Sequence, residues 1–281
     1  MSNEIDLSNL LRSRLTMVAM LAAMKGGEIL RREFDTPMQW ETKEGRHNLV
    51  TEWDKKVEQI IIRFIKSHFP KHAFIAEESG ESGEKEGIQW LIDPIDGTIN
   101  FAHGIPLFSI SIAAIFHSEV LASVVYQPIT KELFIAEKGN GAYLNGKQLK
   151  VSRTAILDSA IVATGFPYNV HENPLYCLNH FNTFAQMGIP VKLLGSGALE
   201  LAYVAAGRFD AFLSVSLHSW DYSAGKLLIE EAGGQFSDFE GNHELSFTQD
   251  AIVASNGILH DQVLKNIKAT LEKEKKLSET D

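Results

Sequence analysis

Two aspartates stand three residues apart at the end of an apolar run, in the segment Trp-Leu-Ile-Asp-Pro-Ile-Asp-Gly-Thr at residues 90–98. Asp93 and Asp96 would repel each other unless a hard cation such as Mg²⁺ lay among their oxygens, because such ions prefer carboxylate and water ligands. Gly97 and Thr98 stand where a helix could begin, and N–H groups at a helix start hold phosphate well. The segment predicts a metal and phosphate site, although two aspartates in a Pro/Gly turn are equally often ordinary turn residues.

Further acidic residues lie at the ends of other predicted elements. Glu77 and Glu78 follow the short apolar run at residues 73–76. Asp221, in Trp-Asp-Tyr-Ser-Ala-Gly at 220–225, is predicted to be the N-cap of an apolar helix that ends before Gly233. Acidic side chains at three element ends can converge on one point of a layered α/β domain, where ligands gather at strand termini. Taken alone, Asp221 could equally be a plain helix cap.

The composition of the 281-residue chain narrows the class of protein. With 44% hydrophobic and 22% charged residues, the chain can bury a substantial core. A formal charge of −10 argues against nucleic-acid binding and against docking on anionic membranes, because both need basic surface. Cys177 is the only cysteine, which excludes an intrachain disulfide and favours a reducing cytosol. We recognise no basic-apolar leader and no apolar run long enough to span a bilayer, so the sequence predicts a cytoplasmic protein.

Helix and strand signals are mixed along the first half of the chain. Apolar residues at helical spacing predict a long helix from Leu7 to Phe34 and a second helix after Thr51, with Asp54 at the capping-box position. The residues between these helices, 35–50, are predicted to form a loop or hairpin. Beyond the Asp-Pro-Ile-Asp turn, an antiparallel sheet is predicted from strand candidates at 108–116, 120–126 and 133–136.

The second half alternates between predicted strands and helices. The strands are expected at 160–164, 191–194, 211–215 and 251–254, and the helices near 174–187, 197–206, 221–232 and 260–274. We place a boundary at about residue 150. It divides one compact unit into residues 1–150, an α+β half with the metal and phosphate site, and residues 151–281, an α/β half that supplies Asp221 and substrate contacts.

These motifs carry a resemblance to a known family that covers nearly the whole chain. Residues 90–103 and 220–234, with Glu-Glu-Ser at 77–79 ahead of them, closely match the two signatures of the inositol monophosphatase family. That family comprises lithium-sensitive, Mg²⁺-dependent sugar phosphatases, and the chain looks like its bacterial, extragenic-suppressor-like inositol-1-monophosphatases. The resemblance implies a layered α-β-α-β-α sandwich of the inositol monophosphatase and fructose-1,6-bisphosphatase type, usually assembled as a homodimer.

The resemblance also implies a set of metal ligands in this sequence. Glu77, Asp93 and the backbone carbonyl of Ile95 would bind a first Mg²⁺ ion, and Asp93, Asp96 and Asp221 would bind a second. A third and weaker ion would lie close to Glu77, and Mn²⁺ could replace Mg²⁺. Such ions would let a phosphate dianion approach several carboxylates, because they reverse the local charge.

Catalytic roles follow from the same resemblance. The backbone N–H groups of Gly97 and Thr98 would hold the phosphate, and Lys43 would lie in a loop near it. A metal-activated water would attack phosphorus in line, without a covalent phosphoenzyme. Thr98 and Asp54 would orient and deprotonate that water, with Glu77 as a further base candidate. From the sequence alone, Asp54 could equally be only a capping-box residue.

Substrate contacts are expected at a third segment. Gly195, Ser196 and Gly197 fall where the family contacts the substrate ring, while Asp96 and Asp221 could accept hydrogen bonds from substrate hydroxyls. The same Gly-Ser-Gly segment could equally be only a tight turn and helix cap.

The resemblance is weakest at one substrate position. Members that favour inositol carry a glutamate seven residues before the signature aspartate, where this chain has Ser214. A site that hydrogen-bonds a substrate hydroxyl discriminates strongly, so the loss of this acceptor is expected to alter selectivity more than chemistry.

Three functional interpretations result. The first is a Mg²⁺-dependent phosphomonoesterase acting on a small polyol phosphate, with inositol 1-phosphate as the default substrate. The second keeps the chemistry but changes the substrate to histidinol phosphate, fructose 1,6-bisphosphate or a 3′-phosphonucleotide. The third is a protein-binding role with the transcription machinery, which bacterial relatives of this family can have.

Overall fold

The computed structural model describes residues 13–43, 48–84, 86–243 and 251–278. Within these ranges the helices are α1 (Arg14–Glu33), α2 (Glu52–His68), α3 (Thr98–Ala102), α4 (Cys177–Gln186), α5 (Gly197–Ala205), α6 (Ser219–Glu231) and α7 (His260–Ser278). The strands are β1 (Trp40–Thr42), β2 (Leu49–Thr51), β3 (Ala73–Ala76), β4 (Gly80–Ser82), β5 (Ile88–Asp96), β6 (Ser109–Phe116), β7 (Glu119–Gln127), β8 (Glu132–Glu137), β9 (Gly141–Leu144), β10 (Lys147–Gln148), β11 (Val162–Gly165), β12 (Val191–Lys192), β13 (Ala211–Val215), β14 (Gln235–Ser237) and β15 (Ala251–Ser255).

Two helix starts were predicted in the first half of the chain. The capping box of α2 is confirmed: Thr51 Oγ1 accepts the Trp53 N–H at 3.1 Å, and Asp54 Oδ2 accepts the Thr51 N–H at 2.7 Å. The predicted first helix extends into residues 7–12, which lie outside the described residues. Within them, α1 begins at Arg14 behind Ser13, whose hydroxyl accepts the Thr16 N–H.

Residues 73–148 build an eight-stranded sheet with the order β10-β9-β8-β7-β6-β5-β3-β4. The antiparallel pairing predicted for β6, β7 and β8 is confirmed, and β3 and β5 run parallel. Ala76, at the end of β3, pairs with Ile92 of β5, and the Glu77 N–H donates to the Ile92 carbonyl at 3.1 Å. The parallel pair therefore delivers Glu77 and Asp93 to the same edge of the sheet.

A five-stranded sheet with the order β12-β11-β13-β15-β14 follows in the chain. Strand β11 runs parallel to β12 and β13, so the carboxyl ends of β11 and β13 meet at one edge, where Gly165 pairs with Ser214. Strand β15 is antiparallel to β13 and β14. The strand predicted over 191–194 is shorter than expected, because it ends at Lys192 and Leu194 belongs to the turn before α5.

Five layers result from the burial of both sheets on both faces. In the first sheet, successive side chains point to opposite faces: Trp90 and Ile92 pack against α1 and α2, whereas Leu91 and Ala113 pack against α5 and α6. The inner face of the second sheet, including Phe212, covers the other side of α5 and α6. Helices α4 and α7 cover its outer face. This arrangement confirms the predicted α-β-α-β-α sandwich.

Helices α5 and α6 approach each other closely in the central layer. A Cβ atom on Gly225 of α6 would lie only 2.5 Å from the Cβ of Leu201 in α5. A side chain at position 225 would therefore push the two helices apart. Gly225 lies one turn beyond Asp221, so this contact also fixes the start of α6 at the edge of the sheets.

None of the helices in the described part of the chain is both long enough and apolar enough to cross a membrane. The division of the chain at about residue 150 remains a prediction.

A buried histidine generates a prediction about stability. His260 is 2% exposed, and its two ring nitrogens lie 2.8 Å from Ser237 Oγ and 3.0 Å from Ser255 Oγ. Burial, with a smaller contribution from the nearby His243 ring, lowers the pKa of His260 to about 4. The unfolded chain binds this proton near the ordinary pKa of 6.5. The stability contributed by neutral His260 is therefore present above pH 6.5 and is lost as the pH falls towards 4.

We expect the unfolding free energy of the wild type to fall by about 2 kcal/mol more than that of His260→Gln between pH 7 and pH 4.5. Urea denaturation at the two pH values measures this difference. His171→Gln, a change at an exposed histidine, is the matched control and should behave as the wild type. Parallel pH profiles for the wild type and His260→Gln would contradict the prediction.

Candidate active site

The predicted metal segment lies at the end of β5, at the edge of the eight-stranded sheet. The pairing of β5 with β6 shifts register between Asp93 and Asp96, consistent with Pro94, which has no N–H to donate to a neighbouring strand. Gly97 then adopts a left-handed conformation with φ 98°, and α3 begins at Thr98. The predicted helix start at Gly97 and Thr98 is therefore present.

Asp93 is the most strongly perturbed carboxyl of this segment. It is buried, and its Oδ1 accepts the Ile95 N–H at 2.9 Å. Burial raises the pKa of Asp93 well above its ordinary value, and the charges of Glu77, Asp96 and Asp221 raise it further. The fold thus brings the four predicted carboxylates within electrostatic reach of one another.

Asp96 has a different environment because the start of α5 donates to it. Ser196 Oγ donates to Asp96 Oδ2 at 2.5 Å, as does the Ala198 N–H at 2.8 Å, while the Gly197 N–H donates to Oδ1 at 3.1 Å. Burial raises the pKa of Asp96 to about 6, and these hydrogen bonds oppose the rise by favouring the charged form. The predicted Gly195 to Gly197 segment therefore meets the predicted metal segment directly.

Asp221 corrects the sequence-based expectation. It is not the N-cap of α6: His218 is the N-cap, and Asp221 is the third helical residue, whose Oδ2 accepts the His218 N–H at 2.8 Å. Both positions place an acid in the first turn, where the helix dipole favours negative charge. Burial raises the pKa of Asp221 well above its ordinary value, followed by the charges of Asp96 and Glu77.

Asp54 and Thr98 meet across the start of α2 and the start of α3. Asp54 is fully buried, and its Oδ1 accepts the Thr98 hydroxyl at 3.0 Å. The same hydroxyl lies 3.0 Å from the Ile95 carbonyl oxygen. Burial raises the pKa of Asp54 to about 7, although the hydrogen bonds from Thr51 lower it. The capping-box residue of α2 is thus also a hydrogen-bond partner of the predicted catalytic hydroxyl.

Lys43 lies against the acidic residues after β3. Its ammonium contacts Glu77 Oε1 at 2.9 Å and Glu78 Oε1 at 2.5 Å. Burial lowers the pKa of Lys43, but the charges of Glu77 and Glu78 and the hydrogen bonds to them outweigh burial and raise it above its ordinary value. Lys43 is therefore a cationic counter-charge to Glu77.

The sequence analysis missed two residues that belong to this region. Glu58 is buried, and its Oε2 accepts the Glu78 N–H at 2.7 Å. It lies four residues after Asp54 on the same face of α2, which is the signal that could have found it. Tyr168, three residues beyond β11, is the second: burial raises the pKa of its phenol above the ordinary value, and so do the charges of Glu77, Asp93, Asp221 and Asp96.

Ser214 lies at the carboxyl end of β13 and pairs with Gly165, the last residue of β11, three residues before Tyr168. It is 3% exposed, and its hydroxyl donates to the Gly165 carbonyl oxygen at 3.2 Å. The hydroxyl hydrogen of Ser214 is therefore used within the protein, and no carboxylate stands at this position.

The carboxylates fit a hard divalent cation in chemistry but not in their present rotamers. Among the described residues, no three acidic, histidine or cysteine side chains are arranged to hold a metal ion as they stand. Asp221 accepts the His218 N–H, Asp93 accepts the Ile95 N–H, and Glu77 contacts Lys43. Carboxylates whose charges raise the pKa of Asp93 and Asp221 are nevertheless the oxygen-rich, negative environment that Mg²⁺ or Mn²⁺ favours.

Comparison with known proteins identifies the family. The family model described as "Inositol monophosphatase family" matches residues 11–272. The Nus factor SuhB of Escherichia coli K12 is 41% identical over 256 residues, which cover 90% of this chain and 96% of that protein. The inositol-1-monophosphatase of Mesorhizobium japonicum is 39% identical over 265 residues, which cover 92% of this chain and 98% of that protein.

Solved structures agree with the sequence relatives. The extragenic suppressor protein SuhB of Bartonella henselae superposes with a TM-score of 0.86 at 37% identity, covering 91% of this chain and 99% of that one. A structure described as an IMPase/NADP phosphatase complexed with Mg²⁺ and phosphate superposes with a TM-score of 0.74 at 26% identity, covering 86% of this chain and 90% of that one. With these matches the family resemblance of the two signature segments is confirmed, and the chain belongs to the inositol monophosphatase family of phosphatases.

Proposed function

We propose that the protein is a Mg²⁺-dependent phosphomonoesterase that hydrolyses a small polyol phosphate, with inositol 1-phosphate as the default substrate. The observation that carries this proposal is the convergence of Glu77, Asp93, Asp96 and Asp221 beside Thr98. Mutually repelling carboxylates have no evident role in stability, whereas they would serve to bind cations and, through them, an anionic phosphate.

We assign the metal ligands as the family pattern suggests. Glu77, Asp93 and the Ile95 carbonyl would hold one ion, and Asp93, Asp96 and Asp221 a second, with Mg²⁺ as the preferred metal and room for a third ion near Glu77. When bound, such ions supply a water of lowered pKa and neutralise charge on the phosphate and on the leaving oxygen. The solved relative that contains Mg²⁺ and phosphate supports Mg²⁺ as the metal.

The chain's own groups would then orient the nucleophile and take up its proton. Because the Thr98 hydroxyl donates to Asp54 Oδ1, its lone pairs are free to accept a hydrogen bond from a water on the other side. Transfer of the water proton to Thr98 Oγ1, with transfer of the hydroxyl proton to Asp54, requires a base whose pKa lies near neutrality. Asp54, with a pKa of about 7, meets this requirement. Backbone N–H groups of Gly97 and Thr98 would hold the phosphate, and Glu77 is a further base candidate.

The alcohol part of a bound substrate would find no carboxylate at position 214. Ser214 donates its hydroxyl to Gly165, and the half-exposed phenol of Tyr168 lies within electrostatic reach of the acidic cluster. Position 214 thus lacks the carboxylate that could accept a hydrogen bond from an inositol hydroxyl, which supports alternative substrates. Histidinol phosphate, fructose 1,6-bisphosphate and 3′-phosphonucleotides therefore remain alternative substrates to inositol 1-phosphate. The segment Gly195, Ser196 and Gly197 would contact the ring of the bound substrate.

A protein-binding role with the transcription machinery is the second candidate. It is favoured by the 41% identity to a protein named as a Nus factor. Such a role does not exclude hydrolysis, since the predicted acidic residues are all present. A homodimer, lithium sensitivity and a cytoplasmic location are further properties that we propose from the family.

Phosphate release from a substrate panel tests the proposed function. The panel contains inositol 1-phosphate, histidinol phosphate, fructose 1,6-bisphosphate and a 3′-phosphonucleotide, each with Mg²⁺, with chelator and with added Li⁺. We expect Mg²⁺-dependent turnover that Asp93→Asn lowers on the order of 10³-fold without unfolding the protein. Asp158→Asn, at an exposed position, is the matched control. Full turnover in Asp93→Asn, or none in the wild type with Mg²⁺ or Mn²⁺, would contradict the proposal.

Ser214 is predicted to control substrate choice. We expect Ser214→Glu to raise the relative kcat/KM for inositol 1-phosphate over the other panel substrates by about tenfold or more, because it adds a hydroxyl acceptor. Ser214→Ala, which removes only the hydrogen bond to Gly165, should keep the wild-type order of substrates. An unchanged order in Ser214→Glu would show that this position is not the selector.

Lys43 is predicted to compete with a metal ion for Glu77. We expect Lys43→Met to lower the Mg²⁺ concentration for half-maximal thermal stabilisation by about fivefold, since a partly exposed ion pair contributes roughly 1 kcal/mol. Differential scanning fluorimetry across a Mg²⁺ titration measures the change. Lys55→Met, at an exposed lysine that pairs with Glu41, should leave the titration as in the wild type. A higher Mg²⁺ requirement in Lys43→Met would mean that Lys43 assists metal binding instead.

A further inference from the structure

We propose that Glu200 is a positioning residue of this site, which acts by fixing the segment 194–198 that holds Asp96. Glu200 lies in the first turn of α5 and is itself no predicted ligand or substrate contact. The inference rests on the proposed function, because it concerns the orientation of one of the carboxylates assigned to metal binding.

The segment leaves Asp96 with only one oxygen available for a ligand. Oδ2 accepts hydrogen bonds from Ser196 Oγ, from the Ala198 N–H and from Ser109 Oγ, the last at 3.3 Å. Among the described residues, Oδ1 accepts only the Gly197 N–H, at 3.1 Å. A carboxylate oxygen has about two lone-pair sites, so Oδ2 is saturated and Oδ1 keeps one site free. The direction in which Asp96 offers this site is therefore set by the position of the segment.

Leu194 is the point at which the segment is anchored to the rest of the fold. Its N–H donates to Glu200 Oε1 at 2.8 Å, and its carbonyl oxygen accepts from Asn100 Nδ2 at 2.7 Å. The next residue, Gly195, is left-handed with φ 77° and lies so close to Asn100 that a Cβ atom would come within 3.1 Å of Nδ2. A Cβ atom on Gly97 would in turn come within 3.0 Å of the Gly195 carbonyl oxygen. Both backbone groups of Leu194 are thus fixed, the N–H by Glu200 and the carbonyl by Asn100 in the helix that follows Gly97.

The environment of Glu200 is unfavourable for a carboxyl group that serves stability alone. The residue is 1% exposed, and its Oε2 has no hydrogen-bond partner among the described residues. Burial raises the pKa of Glu200 well above its ordinary value, although the Leu194 N–H opposes the rise and the charge of Asp96 adds to it. A buried polar atom without a partner costs about 1–3 kcal/mol. An apolar side chain of similar length would avoid this cost, but it could not accept the hydrogen bond from the Leu194 N–H.

Metal binding and stability are therefore expected to respond in opposite directions. We expect Glu200→Met to unfold at the same or a higher temperature than the wild type without metal. The same variant should lose about tenfold or more in affinity for one class of bound Mn²⁺. Glu200→Gln keeps an amide oxygen that can accept from Leu194, so it should bind Mn²⁺ as the wild type does. Calorimetric titration with Mn²⁺, in the absence of substrate, measures both variants.

The control and the contradicting outcomes separate this inference from the proposed function. Glu231→Met removes a carboxylate that accepts the Gly139 and Gly141 N–H groups at the far end of α6, and it should leave Mn²⁺ affinity unchanged. If Glu200→Met does not fold, Asn100→Ser removes the other anchor of Leu194 and should give the same selective loss. Wild-type Mn²⁺ affinity in the folded anchor variant would overturn the role of Glu200, whereas a wild type that binds no Mn²⁺ would overturn the proposed function as well.

Discussion

Repulsion among buried carboxylates is the constraint on which the rest of this structure depends. Two unit charges about 5 Å apart repel by roughly 3 kcal/mol at an effective dielectric constant of about 20. A hydrogen bond to a charged group returns roughly 1.5–3 kcal/mol. Asp93 accepts such a bond from the Ile95 N–H, but burial raises its pKa and the charges of three acidic neighbours raise it further. The same repulsion that makes the cluster costly would make it bind a divalent cation.

The fold answers this repulsion differently at each carboxylate. Burial raises the pKa of Asp96 to about 6, and donors from the start of α5 oppose this rise. Glu77 is met by the ammonium of Lys43, and Asp221 by a backbone N–H in the first turn of α6. Each acid thus has a local partner that holds the site together without relieving the shared charge. These local partners come from separate elements, so the site is a property of the whole sandwich.

The sequence predicted the parts of the site that local rules determine. The acidic residues at the ends of β3 and β5 were predictable because each follows a short apolar run in the sequence. The Thr51–Asp54 capping box was predictable from residue types at a fixed spacing. The N-cap of α6 was assigned to Asp221 instead of His218, because an acid in the first turn suits either position and only backbone geometry separates them.

Tertiary contacts decide the features that the sequence did not reveal. In the sequence, Asn100 and Glu200 look like ordinary helix residues. Their shared partner is the backbone of Leu194, which lies 94 positions from Asn100 and 6 from Glu200. The backbone of Leu194 also explains why the strand predicted over 191–194 ends early. Its N–H and carbonyl pair with the side chains of Glu200 and Asn100 and not with a neighbouring strand. Glu58 was missed for a related reason, because only folding brings Glu78 to α2.

The position of α6 between the two sheets has a mechanical consequence. Its first turn carries Asp221, while its last residue, Glu231, accepts two N–H groups from the turn between β8 and β9. The helix packs on strands of both sheets, so Asp221 moves with the central layer, whereas Asp93 moves with the eight-stranded sheet. An ion held by both carboxylates would link neighbouring layers of the sandwich. Sliding of one layer over the next would then require a coordination bond to break.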